Sequence, residues 1–381
     1  MSAAMNRRER LMATLRGEPV DRPPVSFYEI NGLDEDPDDP DPFNIYSHPS
    51  WRPLIDLTRE KTDRIVMRGV TYSGILFDPV DALADITTTV EEGVIWQTKR
   101  IDARGRTLTA RTRRNRDVNT LWRVEPYLKN VADLRAFLAL PLPEPELHPD
   151  LTPVLAAEEQ LGDTGIVMLD TPDPLCVAAE MFEMGEFTII AWTEQALFHQ
   201  LLERIAAQLY RMVELVAELL PGRLWRIYGP EYASPPYLTP TLFHDYVVRY
   251  DRPIVEAIQR HGGYARIHSH GRLKAILDDI ASLGPDGLDP IEPPPQGDVS
   301  LRYVRRNYGR EMVLFGNLEM SDIEQLPTEA FAEKVKRALA EGTEGEGRGF
   351  VLMPSACPYG RELPSRVMRN YEKIIELVET M

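Results

Sequence analysis

The stretch YARIHSHGRLKAILDDIASLGPDGLDPIEPPPQGD, residues 264–298, decides the fold. It opens with a short apolar run at 264–268, continues as an amphipathic segment at 273–283, and returns to an apolar run at 287–292. Short apolar runs bounded by turn residues read as buried strands, and the longer segment with helical spacing reads as a helix. Two strands joined through a helix are parallel neighbours in one sheet.

Working outward, the same alternation recurs. Apolar runs at 165–170, 224–229, 312–316 and 349–354 are separated by amphipathic segments at 194–220, 239–260, 328–341 and 365–380. DRPPVSFYEI and DRIVMRGV add strands at 25–30 and 63–70, the second preceded by a helix at 53–61. Eight strand-then-helix units predict an α/β fold, a (β/α)8 TIM barrel. A doubly wound open sheet would alternate in the same way, but no GxGxxG or Walker A sequence follows any strand. MSAAMNRRERLMATLRGE reads as an amphipathic N-terminal helical extension. Residues 87–114 alternate polar and apolar about Asp102-Ala103-Arg104-Gly105, which predicts a β-hairpin insertion. The chain is thus expected to be a single barrel domain, 1–381, with an insertion at about 85–125. The acidic, proline-rich tract at 34–43 is expected to stay solvated outside any core.

The chain carries 43 lysines and arginines against 60 acidic residues, a formal charge of -17. That balance repels nucleic acid and anionic membranes. No apolar run approaches the ~20 residues that span a bilayer, and a cytosolic location is expected. Cys176 and Cys357, the two cysteines, are too few for a disulfide scaffold. Cys176 lies in the apolar helical run LCVAAEMF and reads as core.

In a barrel of this kind the chemistry sits at the C-terminal strand ends. The residues there are Asp170, Glu231, His268 with His270, Glu292, Asn317 and Cys357. His268 and His270 stand two apart, and alternation along a strand turns i and i+2 toward one side. Two imidazoles and a thiolate suit zinc, which in catalytic sites takes three protein ligands and keeps a fourth position open. His268, His270 and Cys357 are the expected tripod, with Glu231 as a labile fourth ligand or a base. A second reading stands beside it: the histidines bond backbone groups and Cys357 is a small buried hydrophobe. Glu292 and Asn317 are candidates for orienting a substrate. Asp170 reads as an acid or base or as a helix N-cap, and the PDP that follows it favours the cap.

Through these residues the chain resembles the uroporphyrinogen decarboxylase superfamily. The matching pieces are RRERLMATLRGEPVDRPPV, HSHGRLKAILDDIASLGPDGLDPIEPPPQGD, GNLE and PSACPYGRELPSRVMRNYEKIIE, in order along nearly the whole chain. True decarboxylases of that superfamily carry an arginine-rich segment after the first strand, where this chain has the acidic SFYEINGLDEDPDDPDP. The zinc-dependent cobalamin methyltransferase branch is closer: it carries His-x-Cys at one strand end and a later cysteine, positions that correspond to His268, His270 and Cys357. His270 departs from the expected cysteine and removes one negative charge from the metal's surroundings. The resemblance implies a methyl transfer between a corrinoid protein, bearing cobalamin, and a small thiol or hydroxyl substrate. The alternatives are a metal-free decarboxylase or other lyase using the rim carboxylates, and a catalytically silent binding protein. A homodimer through exposed helix faces is left open.

Overall fold

A computed structural model describes residues 4–72, 75–76, 80–103, 105–141 and 148–381. Arg104, at the tip of the expected hairpin, lies outside them. In chain order the principal strands are β1 (Arg64–Arg68), β2 (Asp85–Glu91), β3 (Val94–Asp102), β4 (Thr107–Asn115), β5 (Leu121–Glu125), β6 (Gly165–Pro172), β7 (Leu224–Tyr228), β8 (Tyr264–Ser269), β9 (Gly287–Pro290), β10 (Val313–Leu318) and β11 (Gly349–Pro354). Seven of them form one parallel sheet in the order β1-β6-β7-β8-β9-β10-β11.

The eighth stave is not a regular strand. Val25 makes a single parallel bridge to Leu352. The Ser26 amide donates to the Leu352 carbonyl, the Leu352 amide donates to the Pro24 carbonyl, and the Asp63 amide donates to the Val25 carbonyl. The segment therefore joins β11 to the start of β1 and closes the curled sheet into a barrel. It is short for a local reason: Pro23 and Pro24 have no amide hydrogen to give a ladder, and Tyr28 takes a left-handed φ of 55° that ends the extended run.

Alternation sorts the strand residues into two layers of apolar packing. Ile65, Ile166, Met168, Leu224, Val313, Phe315, Val351 and Met353 point into the barrel, where they meet Leu11 and Leu15 of the N-terminal helix Arg7–Arg16. That helix plugs the lower end. It starts with a capping box between Asn6 and Glu9 and stops at Gly17, whose φ of 71° favours glycine. Val66, Val167, Leu169, Trp225, Ile227 and Ile267 point outward, onto the surrounding helices. Of these helices, Gln195–Leu219 and Ser365–Glu379 match the expected positions closely.

The segment 239–260 is helical as expected, running without a break through Pro240–Phe243, a π-helical turn His244–Val248 and Arg249–Arg260, with Pro253 inside the last. Two expectations are corrected. The insertion holds four antiparallel strands, β2-β3-β4-β5, rather than a lone hairpin. The acidic tract is anchored at both ends. Glu35 is buried and accepts the amides of Asn31 and Gly32, while Phe43 is buried at the other end.

Candidate functional site

The strands that carry the candidates rise through the barrel in layers two residues apart. In register, Arg226 of β7 lies beside Asp170 of β6 and Arg266 of β8, and one step higher Tyr228 lies beside His268, which faces Asp289 of β9. Below these charges the interior is hydrocarbon, with Leu224 among its residues. Buried charges persist only when paired, and each here has a partner. Asp170 accepts Nε and Nη2 of Arg226 at 2.6 and 2.8 Å, and Arg226 Nη1 reaches the Tyr28 hydroxyl at 2.6 Å. Burial opposes the Arg226 charge, but Asp170 and its neighbours outweigh that and raise its pKa. Asp170 is thus an ion-pair partner and not a cap. The cap of the following helix Pro174–Glu180 is Asp173, which accepts the Cys176 amide.

Above the charged layer lies a cavity of about 390 Å³. Its walls include Tyr28, Glu29, Arg226, Glu231, His268, His270 and Cys357, with Asn119 of the insertion and Tyr359 closing the side. The strand β8 ends at Ser269, so His270 leaves from the loop, yet both rings reach the cavity. Their centroids are 4.6 Å apart at 88°. His268 Nδ1 is 2.7 Å from Asp289 Oδ2, and His270 Nδ1 is 2.8 Å from Glu292 Oε1. Among the described residues, Nε2 of neither ring has a hydrogen-bond partner. A carboxylate on Nδ1 fixes the ring and its tautomer, leaving Nε2 as the free donor atom, which is the arrangement found around metal-binding histidines.

The electrostatics follow from these pairs. For His270, burial alone would lower the pKa, but the bond and charge of Glu292, with Glu231 and Asp289, raise it. For Glu292, burial acts upward, and His270 outweighs it and lowers the pKa. Asp289 is held low in the same way by Arg266 and His268. The Cys357 thiol is pushed well up by burial and by Glu29, whose Oε2 it meets at 3.0 Å. Glu231 Oε2 accepts the Gly229 amide at 3.1 Å.

His268, His270, Cys357 and Glu231 therefore share one cavity. Glu292 and Asn317 do not line it. Both oxygens of Glu292 are used, on His270 and on the Gly271 amide, and the Asn317 amide donates to the Ile291 carbonyl. Glu292 is thus held between His270 and the Gly271 amide. Cys176 is buried, as its apolar run implied. Among the described residues, no three His, Cys, Asp or Glu side chains are gathered closely enough to hold a metal ion as they stand. The donor types suit zinc, two imidazoles and a thiol on one cavity, while the thiol is engaged with Glu29.

The sequence reading passed over Glu29 and Asp289. Glu29 follows the apolar run of the first stave, and applying the strand-end rule there would have found it. Asp289 is an acid inside an apolar run, directly beside a strand that carries Arg266 and His268.

No described helix is long and apolar enough to cross a membrane. A search of curated proteins finds no match. Among solved structures, a methyltransferase from Methanosarcina mazei superposes with a TM-score of 0.63 at 17% identity, over 98% of this chain and 99% of that one. A D-psicose 3-epimerase aligns at a TM-score of 0.32, with 11% identity over 61% of this chain and 92% of that one. The IolI protein, solved with a zinc atom, aligns at 0.35, with 10% identity over 66% of this chain and 87% of that one; both are too distant to bear on the site. The family model for uroporphyrinogen decarboxylase (URO-D) matches residues 120–373, and the chain belongs to that family.

Proposed function

We propose that this protein is an enzyme that moves a methyl group between a corrinoid protein and a small thiol or hydroxyl substrate, with zinc held by His268, His270 and Cys357. The observation that carries the reading is the pair of imidazoles on one cavity wall, each with Nδ1 tied to a buried carboxylate and Nε2 left over, beside a cysteine thiol. The Methanosarcina mazei methyltransferase, which shares the fold, supports the same reaction class.

Zinc would lower the pKa of a hydroxyl or thiol substrate. The chain's own groups do the rest. Asp289 and Glu292 keep the two rings in the tautomer that offers Nε2. Glu231, fixed by the Gly229 amide on the cavity wall, takes the substrate proton. Glu29, which already receives the Cys357 thiol hydrogen bond, would take its proton were the thiol to serve as a thiolate ligand. Cobalamin on a partner protein would supply the methyl group to the oxygen or sulfur that Glu231 deprotonates; in the reverse direction Glu231 would return the proton to the demethylated product.

The metal-free decarboxylase reading is less well served. A porphyrinogen carries several carboxylates, each needing a cation. Among the described residues lining this cavity, Arg226 is the one guanidinium, and it is already engaged by Asp170 and Tyr28. Metal analysis of protein purified without chelator tests the proposal. One zinc per chain is expected in the wild type and a loss of most of it in Cys357→Ser. Cobalt substitution should give a thiolate charge-transfer band in the wild type alone. Absence of stoichiometric metal, or an unchanged content in the variant, would overturn it.

A further inference from the structure

The four-stranded insertion turns one face to the body of the protein and the other away from it. Ile101, Leu108, Ala110 and Thr112 are buried on the inner face, where Arg123 pairs with Glu180. Direct cross-strand partners share a face. The register of β2–β5 therefore sets Thr89, Trp96, Arg113 and Trp122 side by side in one row on the outer face. Arg111, two residues from Arg113 on β4, stands on the same face with its guanidinium carbon 4.9 Å from the Trp96 ring centroid. Arg111, Arg113 and Trp122 are exposed. Among the described residues, neither arginine has a carboxylate partner.

The place of this face matters. The turn between β4 and β5 is pinned to the loop after β11 by a bridge between Val118 and Gly360 and by the Asn119 amide, which donates to the Tyr359 carbonyl. Asn119 and Tyr359 both line the inner cavity, so the sheet stands beside its mouth. Its charge is also of the opposite sign to the rest. Residues 85–125 hold nine lysines and arginines against six acids, within a chain whose net charge is -17. An acidic partner is repelled by most of the surface and drawn to this part of it, which fixes its approach. Exposed tryptophan and arginine are the side chains that most often carry the energy of a protein interface.

We propose that the outer face of the insertion docks an acidic protein surface, that of the corrinoid carrier, and so holds the carrier against the cavity mouth. That the occupant carries a corrinoid rests on the methyl-transfer reading; that it is an acidic protein rests on the face itself. A nucleic acid fits less well, because a duplex would extend past the few free cations onto a body that repels it. A second copy fits less well too: a two-fold contact through this face would set Arg111 and Arg113 against their own equivalents.

Tryptophan fluorescence of the full chain, titrated with poly-L-glutamate, tests the docking face. The wild type should give a saturable change that weakens steeply as salt rises from about 0.05 to 0.5 M. Arg111→Glu with Arg113→Glu should weaken binding at least about tenfold. Should that variant fail to fold, Arg111→Gln with Arg113→Gln should show a smaller loss in the same direction. Immobilised wild type should retain, from an extract of the source cells, a protein with the visible absorbance of cobalamin, and the charge-reversed variant should not. The proposal is lost if poly-L-glutamate fails to bind, if the charge-reversed variant binds it equally, or if duplex DNA binds more tightly. It is lost also if the corrinoid protein is retained by both proteins or by neither, or if the wild type self-associates in a way the variant abolishes. Cys357→Ser, which should bind poly-L-glutamate as the wild type does, keeps the two readings apart. Docking without zinc or methyl transfer sinks the reaction alone, and zinc-dependent transfer from free methylcobalamin without docking sinks the surface alone.

Discussion

Asp289→Asn is the substitution that strikes the floor of the site. The carboxylate is wholly buried, with Oδ1 2.8 Å from Nε of an equally buried Arg266 and Oδ2 2.7 Å from Nδ1 of His268. The ion pair is close, yet Arg266 Nε and Asp289 Oδ1 are not aligned as a hydrogen bond. Asp289 therefore restrains Arg266 by charge, a contribution that asparagine cannot replace. At 2.8 Å and an effective dielectric of ~20, the attraction is about 6 kcal/mol before desolvation is counted. What the variant leaves is a buried guanidinium with Phe315 stacked at 4.8 Å and no counter-ion at Asp289. A charge stranded in that way costs about 3–5 kcal/mol, a large share of a total stability of ~5–15 kcal/mol. Urea denaturation followed by circular dichroism should show an unfolding free energy lowered by that amount, seen as a lower midpoint at an unchanged slope. The double variant Asp289→Asn, Arg266→Met should recover most of the loss, because it removes the stranded charge together with its partner. A single variant costing under about 1 kcal/mol, or a double variant no more stable than the single one, would refute the charge argument.

Three further outcomes are expected. Glu292 holds a proton on His270, and zinc needs the neutral ring, so zinc retention should rise as pH climbs above about 6.5. Glu292→Gln should move that rise to lower pH and weaken the plateau affinity about 10–100-fold, and a metal titration showing the same pH dependence in both proteins would rule this out. Asp173 and Asp251 are fully buried near one another, with three carboxyl oxygens lacking hydrogen bonds, and burial raises both pKa values well above the usual range. The folded state then binds more protons than the unfolded one above about pH 4, so stability falls with rising pH by about 1.4 kcal/mol per unit for each group. Asp251→Asn should be more stable than the wild type at neutral pH and should lose part of that slope in melts across pH; a lower melting temperature with an unchanged slope would contradict it. Gly229→Ala should destabilise by at least ~3 kcal/mol in thermal melts, since φ is 127° and a Cβ would overlap the Asp173 carboxylate and Cys176; a wild-type melting temperature would show that the turn can shift.

The barrel was legible because its strands are short, apolar and separated by long amphipathic segments, a pattern set by local burial on two faces. Runs such as 349–354 coincide with the strands that form. The placement of Glu231, His268, His270 and Cys357 at strand ends followed from the fold class, and all four line one cavity. Pairings were the part that could not be read. Asp170 looked like a cap because a cap and an ion-pair partner have the same local sequence, and only the register of β6 against β7 brings Arg226 beside it. Glu292 looked like a rim carboxylate because nothing nearby in sequence announces that His270 and Gly271 take both its oxygens.

The closing stave has a consequence for biosynthesis. Residues 24–27 find their ladder partner at Leu352, and Glu29 finds Cys357, more than three hundred positions later. During translation the amino-terminal segment can pair with Asp63, but its bonds to Leu352 must wait until β11 has emerged from the ribosome. A nascent or prematurely terminated chain lacking that strand has neither a sealed cylinder nor a thiol at its mouth, so the cavity takes shape only after β11 has been made.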